Sequence, residues 1–510
     1  MHAVLTINGQ EIEAGPGASI FDCAERLGVR IPTSCDKQGK CRECLVEVTE
    51  GAELLSPRTE RERHLSGAFR LSCRTEVVRE GHVKCHTMRR GRMQIERAGR
   101  TASVAGVRGE GYGIAADIGT TTVVMRLYDL ATGELAADAA FENPQRFGGS
   151  EIMARIKYDA EHPGRLLMRT LAGYMTHAIE DFPVPASEIR EMVIVGNSTM
   201  RDLFFRQNVW SIGQSPYRSI TEIDMEQGRR ASTVLTTTGL RSLLPIHPEA
   251  CVYGAPIISG HVGADAAACM LAVDLAHERR TVAIMDIGTN TELIVGNRDR
   301  ILAASCPAGP AFEGGAIACG MPALDGAIED VAIAEDGSFR LGVIGGGRPE
   351  GICGSGLVDL LSELLRTGRM NERGRFEEGA RIDLAEGVYF LESDVNELAQ
   401  AKGSNIAGIR TVCDSYGISF DEIEVFYLAG GFGRYLKIEA AQRIGLIPTM
   451  DPTHIVQAGN AAIEGASVAL RSAEKRAELE ELVRRVEHCR LETHPKFFDF
   501  FVDGCQFQAI

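Results

Sequence analysis

Cys35, Cys41, Cys44 and Cys73 stand at the spacing C-x5-C-x2-C, with the fourth arriving 28 residues after the third. Thiolate sulfur is the ligand that both iron–sulfur clusters and structural zinc demand. Zinc ribbons offer two close C-x2-C pairs, and here only Cys41 and Cys44 form one, so the expectation is a [2Fe–2S] cluster with three ligands on one loop and one from a distant segment. Zinc, and unliganded core cysteines, are the competing readings. Cys23, on an expected helix, and Cys85, beyond the last ligand, read as small buried residues.

A second chemistry is written twice. Residues 114–125 read IAADIGTTTVVM, an apolar strand, a sharp turn and a returning strand, and residues 282–295 repeat the pattern as VAIMDIGTNTELIV. Glycine lets backbone N–H groups approach phosphate oxygens, threonine adds hydroxyl donors, and aspartate can hold Mg²⁺ directly or through water. The candidates are Asp117, Gly119, Thr120 and Thr121 in the first copy and Asp286, Gly288, Thr289 and Asn290 in the second. One such turn could be a plain hairpin. Two copies whose aspartates lie 169 residues apart imply two similar half-domains gripping phosphate from both sides.

Residues 425–433 form an apolar strand running into a glycine turn, where a flat base could lie against Gly430, Gly431 and Phe432. Residues 459–466 read as a helix start with small residues for close packing. The glycine-rich stretches 260–265, 305–315 and 352–356 read as lining the cleft, with ordinary turns as the alternative. Cys306, Cys319 and Cys353 read as packing residues rather than redox groups, and His261 as structural, since no Cys or His stands at ligand spacing from it.

These residues need positioning elements. Residues 4–7 and 10–13 read as strands around an Asn8-Gly9 turn, and Ser19 as the cap of a helix through Leu27 closed by Gly28. From 89 to 111 the chain carries many arginines against few acids, with glycines interspersed, which reads as a basic flexible linker; a docking strip for an acidic partner is the alternative. The expected organisation is a cluster domain at 1–88, the linker at 89–111, one lobe at 112–275 and a second at 276–510. The last lobe ends in an aromatic stretch, 497–507, with five of the nineteen phenylalanines, expected to dock into the protein's own core.

The 510 residues carry 54 Lys+Arg against 70 Asp+Glu, a net charge of −16, which speaks against a nucleic-acid binder. The 44% hydrophobic and 24% charged content is that of a globular protein. No apolar run has membrane-spanning length and the first residues lack a signal-peptide pattern, so no membrane partner and a cytoplasmic location are expected. Fourteen cysteines in a chain of this kind read as including metal ligands rather than as a disulfide scaffold.

Residues 1–88 resemble a [2Fe–2S] ferredoxin domain of β-grasp fold, with x5 between the first two ligands as on the adrenodoxin side of that superfamily. The two hairpins, the 425–433 strand and the 459–466 helix resemble, in order, the two phosphate motifs, the adenosine motif and the second connecting motif of the acetate and sugar kinase, heat-shock chaperone and actin superfamily. Residues 193–200 fall at the first connecting motif. That resemblance implies an α/β chain of several domains, with a two-lobed ribonuclease-H-like ATPase after the ferredoxin domain.

The combination resembles the reductive activators of corrinoid proteins. The resemblance implies ATP-dependent return of cob(II)amide to cob(I)amide on a corrinoid methyl-transfer protein, with an upstream low-potential electron donor and with a [2Fe–2S] cluster, ATP and Mg²⁺ as cofactors. It gives Cys35, Cys41, Cys44 and Cys73 to the cluster, gives Asp117 to the first phosphate and Mg²⁺ loop as a catalytic residue, makes Asp286 of the second loop also the group that orients the attacking water, and places adenosine at Gly430, Gly431 and Phe432. Family members carry a further middle domain ahead of the ATPase; Asp117 follows Cys85 too soon for one, which leaves a homodimer open as the oligomeric state. A small-molecule kinase with a regulatory cluster and a nucleotide-binding redox sensor are the alternative function classes. An activator of 2-hydroxyacyl-CoA dehydratases shares the ATPase fold but lacks the ferredoxin domain.

Overall fold

The computed structural model describes residues 3–89, 109–431 and 436–510, which form two compact units. The first holds the described residues up to Arg89, 109–194 and 199–254; the second holds 195–198 and everything from 255 onward. The linker reading therefore falls almost wholly outside the described residues, as does Phe432.

The first unit opens with β1 (Ala3–Ile7) and β2 (Gln10–Ala14), paired antiparallel around Asn8 and Gly9, which take φ of 50° and 81°. Positive φ at both central positions is what a tight hairpin needs, hence Asn-Gly. Helix α1 (Ile20–Arg26) follows, its first turn capped by Ser19 accepting from the Asp22 N–H, as the sequence implied. With β3 (Leu45–Glu50), β4 (Phe69–Leu71) and β5 (Gly81–Thr87) the sheet runs in the order β2-β1-β5-β3-β4, and β1 lies parallel to β5. This mixed sheet with one helix is the β-grasp plan.

The rest of the first unit is a six-stranded sheet of β6 (Tyr112–Ile118), β7 (Thr122–Asp129), β8 (Leu135–Glu142), β9 (Ile189–Val195), β10 (Leu235–Thr238) and β11 (Cys251–Gly254), ordered β10-β11-β9-β6-β7-β8. The second unit repeats that plan with β12 (Val282–Ile287), β13 (Asn290–Gly296) and β14 (Ile301–Pro307). In each, an antiparallel hairpin carries the Asp-x-Gly-Thr turn, a third antiparallel strand flanks it, and parallel strands extend the other side. The order third-second-first-fourth is common to both and is the ribonuclease-H-like arrangement, with β11 and then the antiparallel edge strand β10 beyond it in the first lobe and strand Ile455–Gly459 beyond it in the second, so the duplication seen in the sequence is a duplication of fold. Helix Ala264–Ala272, inside the segment expected for the first lobe, packs instead in the second unit against helix Ala461–Arg471, where a Cβ on Gly465 would sit 1.9 Å from the Ala268 carbonyl oxygen. The small residues at that helix start serve the close packing expected of them.

The ferredoxin domain is seated on the first lobe. Helices α2 (Ile152–Glu161) and α3 (Leu166–Glu180) and the turn Pro144–Gly148 meet it, and one continuous apolar core includes Leu45, Val46 and Leu71 from one side and Phe147, Leu171 and Tyr174 from the other. Tyr174 donates its hydroxyl to the Leu45 carbonyl at 3.3 Å, and Tyr158 donates to that of His64 at 2.8 Å. The second unit has its own core, which takes in Phe507 from the aromatic C-terminus. Helix Phe497–Gly504 docks on helix Glu392–Tyr416, with buried Lys402 donating to the Gly504 and Gln506 carbonyls. Phe497 packs against the same core at the start of the stretch, while Phe498 stays 71% exposed.

Candidate functional site

The ferredoxin cysteines converge as two pairs. The Cys44 and Cys73 sulfurs lie 3.2 Å apart and Cys35 is hydrogen-bonded to Cys41, while Lys40 offers its backbone N–H to the Cys35 sulfur at 3.3 Å. Positive φ at Asp36, Lys37, Gly39 and Arg42 curls the loop so that its sulfurs turn inward. Hydrogen bonding from Cys44 pulls the Cys73 thiol down to about 7, and backbone N–H groups outweigh burial to lower Cys35. Burial pushes the Cys41 thiol up, and Cys44, donating to Cys73, is raised well above its ordinary value, so each pair holds one thiol moved toward thiolate and one held protonated. Four converging sulfurs with N–H groups aimed at them are a donor set that fits a four-thiolate cluster. Cys23 and Cys85 are buried, Cys85 pushed up to about 12 by burial, as their reading as core residues required.

Glu43, between two of these cysteines, accepts from the Ser34 hydroxyl at 2.7 Å and lies against Gly173 of α3, where a Cβ would come within 2.6 Å of its side chain. The bare helix position is what lets the cluster loop reach the lobe.

In the first phosphate turn, Asp117 is the last residue but one of β6, and the Gly119 N–H closes on the Thr122 carbonyl at 3.0 Å. A Cβ on Gly119 would stand 2.6 Å from that oxygen, so only glycine fits. All three turn carbonyls are gripped: Gly119 by the Asn143 side chain at 2.8 Å, Thr121 by the Asn143 N–H at 2.7 Å, and Thr120 by Arg155 at 2.6 Å. The sequence reading missed Asn143 and Arg155. An Asn-Pro step signals a helix cap, but nothing local says that its amide reaches a turn 24 residues back.

In the second unit, β12 lies parallel to strand Val425–Gly430, which pairs Asp286 with Ala429 and Ile287 with Gly430. The end of the second phosphate strand and the Gly430-Gly431 turn are therefore side by side. Gly430 has φ of 114°, and a Cβ there would lie 2.2 Å from the Ile287 carbonyl oxygen. Thr289 bonds the Glu313 carboxylate, and the Gly309 N–H donates to its carbonyl at 2.9 Å, which sets the 305–315 stretch beside the hairpin. Asn290 pairs with Pro307 across the sheet, and Gly288 stands between the hairpin strands.

Burial raises Asp286 to about 6, opposed by the Cys269 thiol donating to it at 3.3 Å. Glu292, buried on β13 and bonded to the Ser305 hydroxyl at 3.2 Å, is raised well above the usual carboxylate range by burial and then by the charges of Asp265 and Asp286. Such a cluster of carboxylates with raised affinity for positive charge suits a proton or a cation. Glu292 was legible as a departure from the repeat: it stands six residues after Asp286, where the first copy has Val123, also six after its aspartate. Cys306 and Cys353 are buried thiols donating to carbonyls, with Cys306 pushed up to about 12 by burial, and Cys319 is half-buried beside the Tyr389 N–H. All three belong to the second unit, and the cluster cysteines to the first.

Fold and sites together define a ferredoxin domain joined to an ATPase of the sugar-kinase, heat-shock and actin superfamily. Three family models cover the chain in succession: a 2Fe-2S iron-sulfur cluster binding domain at residues 5–78, the RACo middle region at 112–278 and the C-terminal domain of RACo, the ASKHA domain, at 280–509. The chain belongs to the reductive activators of corrinoid proteins. It is 27% identical over 600 aligned positions to the corrinoid activation enzyme RamQ of Eubacterium limosum, covering 99% of each chain. It is 26% identical to the [Co(II) methylated amine-specific corrinoid protein] reductase of Methanosarcina barkeri over 77% of this chain and 76% of that one. A solved reductive activator for corrinoid, iron-sulfur protein matches it with a TM-score of 0.73 at 25% identity, over 99% and 98% of the two chains. The middle-region model falls on the residues of the six-stranded first lobe, which overturns the expectation that the chain has no room for a middle domain: the region that matches it is residues 112–278.

Proposed function

We propose that this chain couples ATP hydrolysis to the reduction of an inactive cob(II)amide to cob(I)amide on a corrinoid methyl-transfer protein. The observation that carries the reading is one chain holding a converged four-thiolate site and two Asp-x-Gly-Thr hairpins on duplicated lobes. Held by Cys35, Cys41, Cys44 and Cys73, a [2Fe–2S] cluster supplies one-electron transfer at low potential. Each 59 mV of adverse potential costs a one-electron transfer about a factor of ten, so an uphill reduction needs a coupled source of free energy.

Each residue has a task in that scheme. Asp117 and Asp286 are the carboxylates that would hold Mg²⁺, which would supply charge neutralisation at the phosphates, and Asp286, raised to about 6, is the group to orient the attacking water. Gly119, Thr120 and Thr121, with Gly288, Thr289 and Asn290, present N–H and hydroxyl donors to phosphate oxygens; Gly430 and Gly431 leave bare backbone for the base, with Phe432 beside them. The lobes follow the boundaries 112–275 and 276–510, behind a cluster domain at 1–88 and a linker at 89–111. A low-potential protein donor supplies the electron from upstream, and a second copy of the chain is the oligomeric partner to test by sedimentation. All fourteen cysteines are free of disulfides and no helix among the described residues is long and apolar enough to cross a membrane, which supports action in the reducing cytoplasm.

The test is anaerobic. Reduced protein and a cognate cob(II)amide protein are followed by corrinoid absorption with Mg²⁺ and ATP, with a non-hydrolysable analogue and with no nucleotide. Cob(I)amide or its methylated product should form only with ATP; equal reduction in all three would refute the coupling.

A further inference from the structure

The first phosphate turn and the ferredoxin domain are held by one short segment. Asn143, fully buried, grips the turn from one end of Pro144–Gly148, and its side-chain oxygen accepts from the Gln145 N–H at 2.9 Å to cap that segment. Arg155, also fully buried, closes the other end: its Nε donates to the Gly149 carbonyl at 2.9 Å while its Nη2 donates to that of Thr120. The segment therefore cannot shift without breaking the bonds that shape the phosphate turn.

Beyond its packing on α2 and α3 of the lobe, through Phe147 against Tyr158 and Gly148 against Leu167, it meets the ferredoxin domain. Arg146 reaches Glu47 at 3.2 Å and lies over the Phe69 ring at 5.9 Å, and it is tied back to Glu142 at 3.1 Å. Phe147 meets His64 edge-on at 5.9 Å, and the Glu142 N–H donates to the Met88 carbonyl at 2.9 Å, just past the last ferredoxin strand. A fully bonded buried amide and guanidinium have one low-energy position, so the segment transmits displacement rather than absorbing it.

We propose that Pro144–Gly148 couples seating of the ferredoxin domain to nucleotide binding at the first phosphate turn, with Asn143 and Arg155 as positioning residues for that turn and Arg146 as the tie to the ferredoxin domain. The proposal rests on the nucleotide reading of Asp117–Thr121. Linkage makes the effect reciprocal: whatever seating does for nucleotide affinity, nucleotide does for seating.

The experiment uses the full-length chain and the Mg²⁺ complex of a non-hydrolysable ATP analogue, with affinity read by calorimetry and seating by amide exchange. Arg146→Gln changes a half-exposed side chain that does not touch the phosphate turn; it should weaken analogue binding about five-fold or more. Arg30→Gln cuts a different tie between the same domains, to Glu180 and Asp181 of the lobe, and should leave affinity within two-fold. The analogue should slow exchange at residues 86–88 in the wild type and fail to do so in Asn143→Ala. Unchanged binding in Arg146→Gln, equal weakening in Arg30→Gln, or equal protection in Asn143→Ala would overturn the coupling and leave the activator reading standing. A wild type that binds no nucleotide would overturn both.

Discussion

Asp286 sets the expected pH behaviour of hydrolysis. Burial raises its pKa to about 6, so below that value it is protonated, and in the proposed role of orienting the water only the ionised form that dominates above it would serve. The hydrolysis rate should climb about ten-fold per pH unit below 6 and level off above, read from phosphate release. The Cys269 thiol lowers that midpoint by donating to Asp286, so Cys269→Ala should move it upward. Asp286→Ala should cost about 10²-fold or more in hydrolysis at every pH and leave the visible absorption of the cluster unchanged. In the other unit, with Cys35, Cys41, Cys44 and Cys73 as the proposed ligands of one cluster, anaerobically prepared protein should carry two iron and two labile sulfide per chain. Stoichiometric zinc without sulfide would contradict the site. Cys41→Ser should abolish corrinoid reduction.

At the scale of elements, the most legible features were those whose chemistry is local. The Asn8-Gly9 hairpin, the Ser19 cap and the two Asp-x-Gly-Thr turns each follow from a few adjacent residues, and the structure forms all of them. Asn143 and Arg155 were not legible, because their targets are carbonyls 24 and 35 residues away and any turn offers carbonyls. Glu292 shows the physical cost of such placement. An acid whose folded-state affinity for its proton exceeds that of the unfolded chain gives up stability as pH rises from about 4.3, its ordinary value, through the higher folded value. Glu292→Gln should therefore melt higher than wild type at pH 8, by several degrees, with the gain shrinking toward pH 4. Gly430→Ala tests a different constraint. The new Cβ meets the Ile287 carbonyl and the backbone angle is one side chains avoid, so the second unit should lose about 1–3 kcal/mol and nucleotide affinity with it. Denaturant melts and analogue titration measure the two losses.

For the whole molecule, the sequence described a redox module on a tether. Composition between 89 and 111 supports a connector, but composition is silent about whether the things connected also touch. Glu43 against Gly173, Tyr174 against Leu45 and Tyr158 against His64 are long-range matches that no window of sequence contains. The result is that three segments of sequence become two compact units, since the ferredoxin strands and the first lobe share one apolar core and the second lobe has another.

That shared core has a consequence for damage. A cluster bound to folded thiolates stabilises whatever folds with them. Scanning calorimetry of the intact chain should show two transitions rather than three, and stripping the iron should lower the first and spare the second. A chain bleached by oxygen would thus soften the lobe that carries Asp117–Thr121 along with its redox centre. Proteases that sample open states would meet the ruined copy first, and futile consumption of ATP by an activator with no electron to deliver would be cut short by its own turnover.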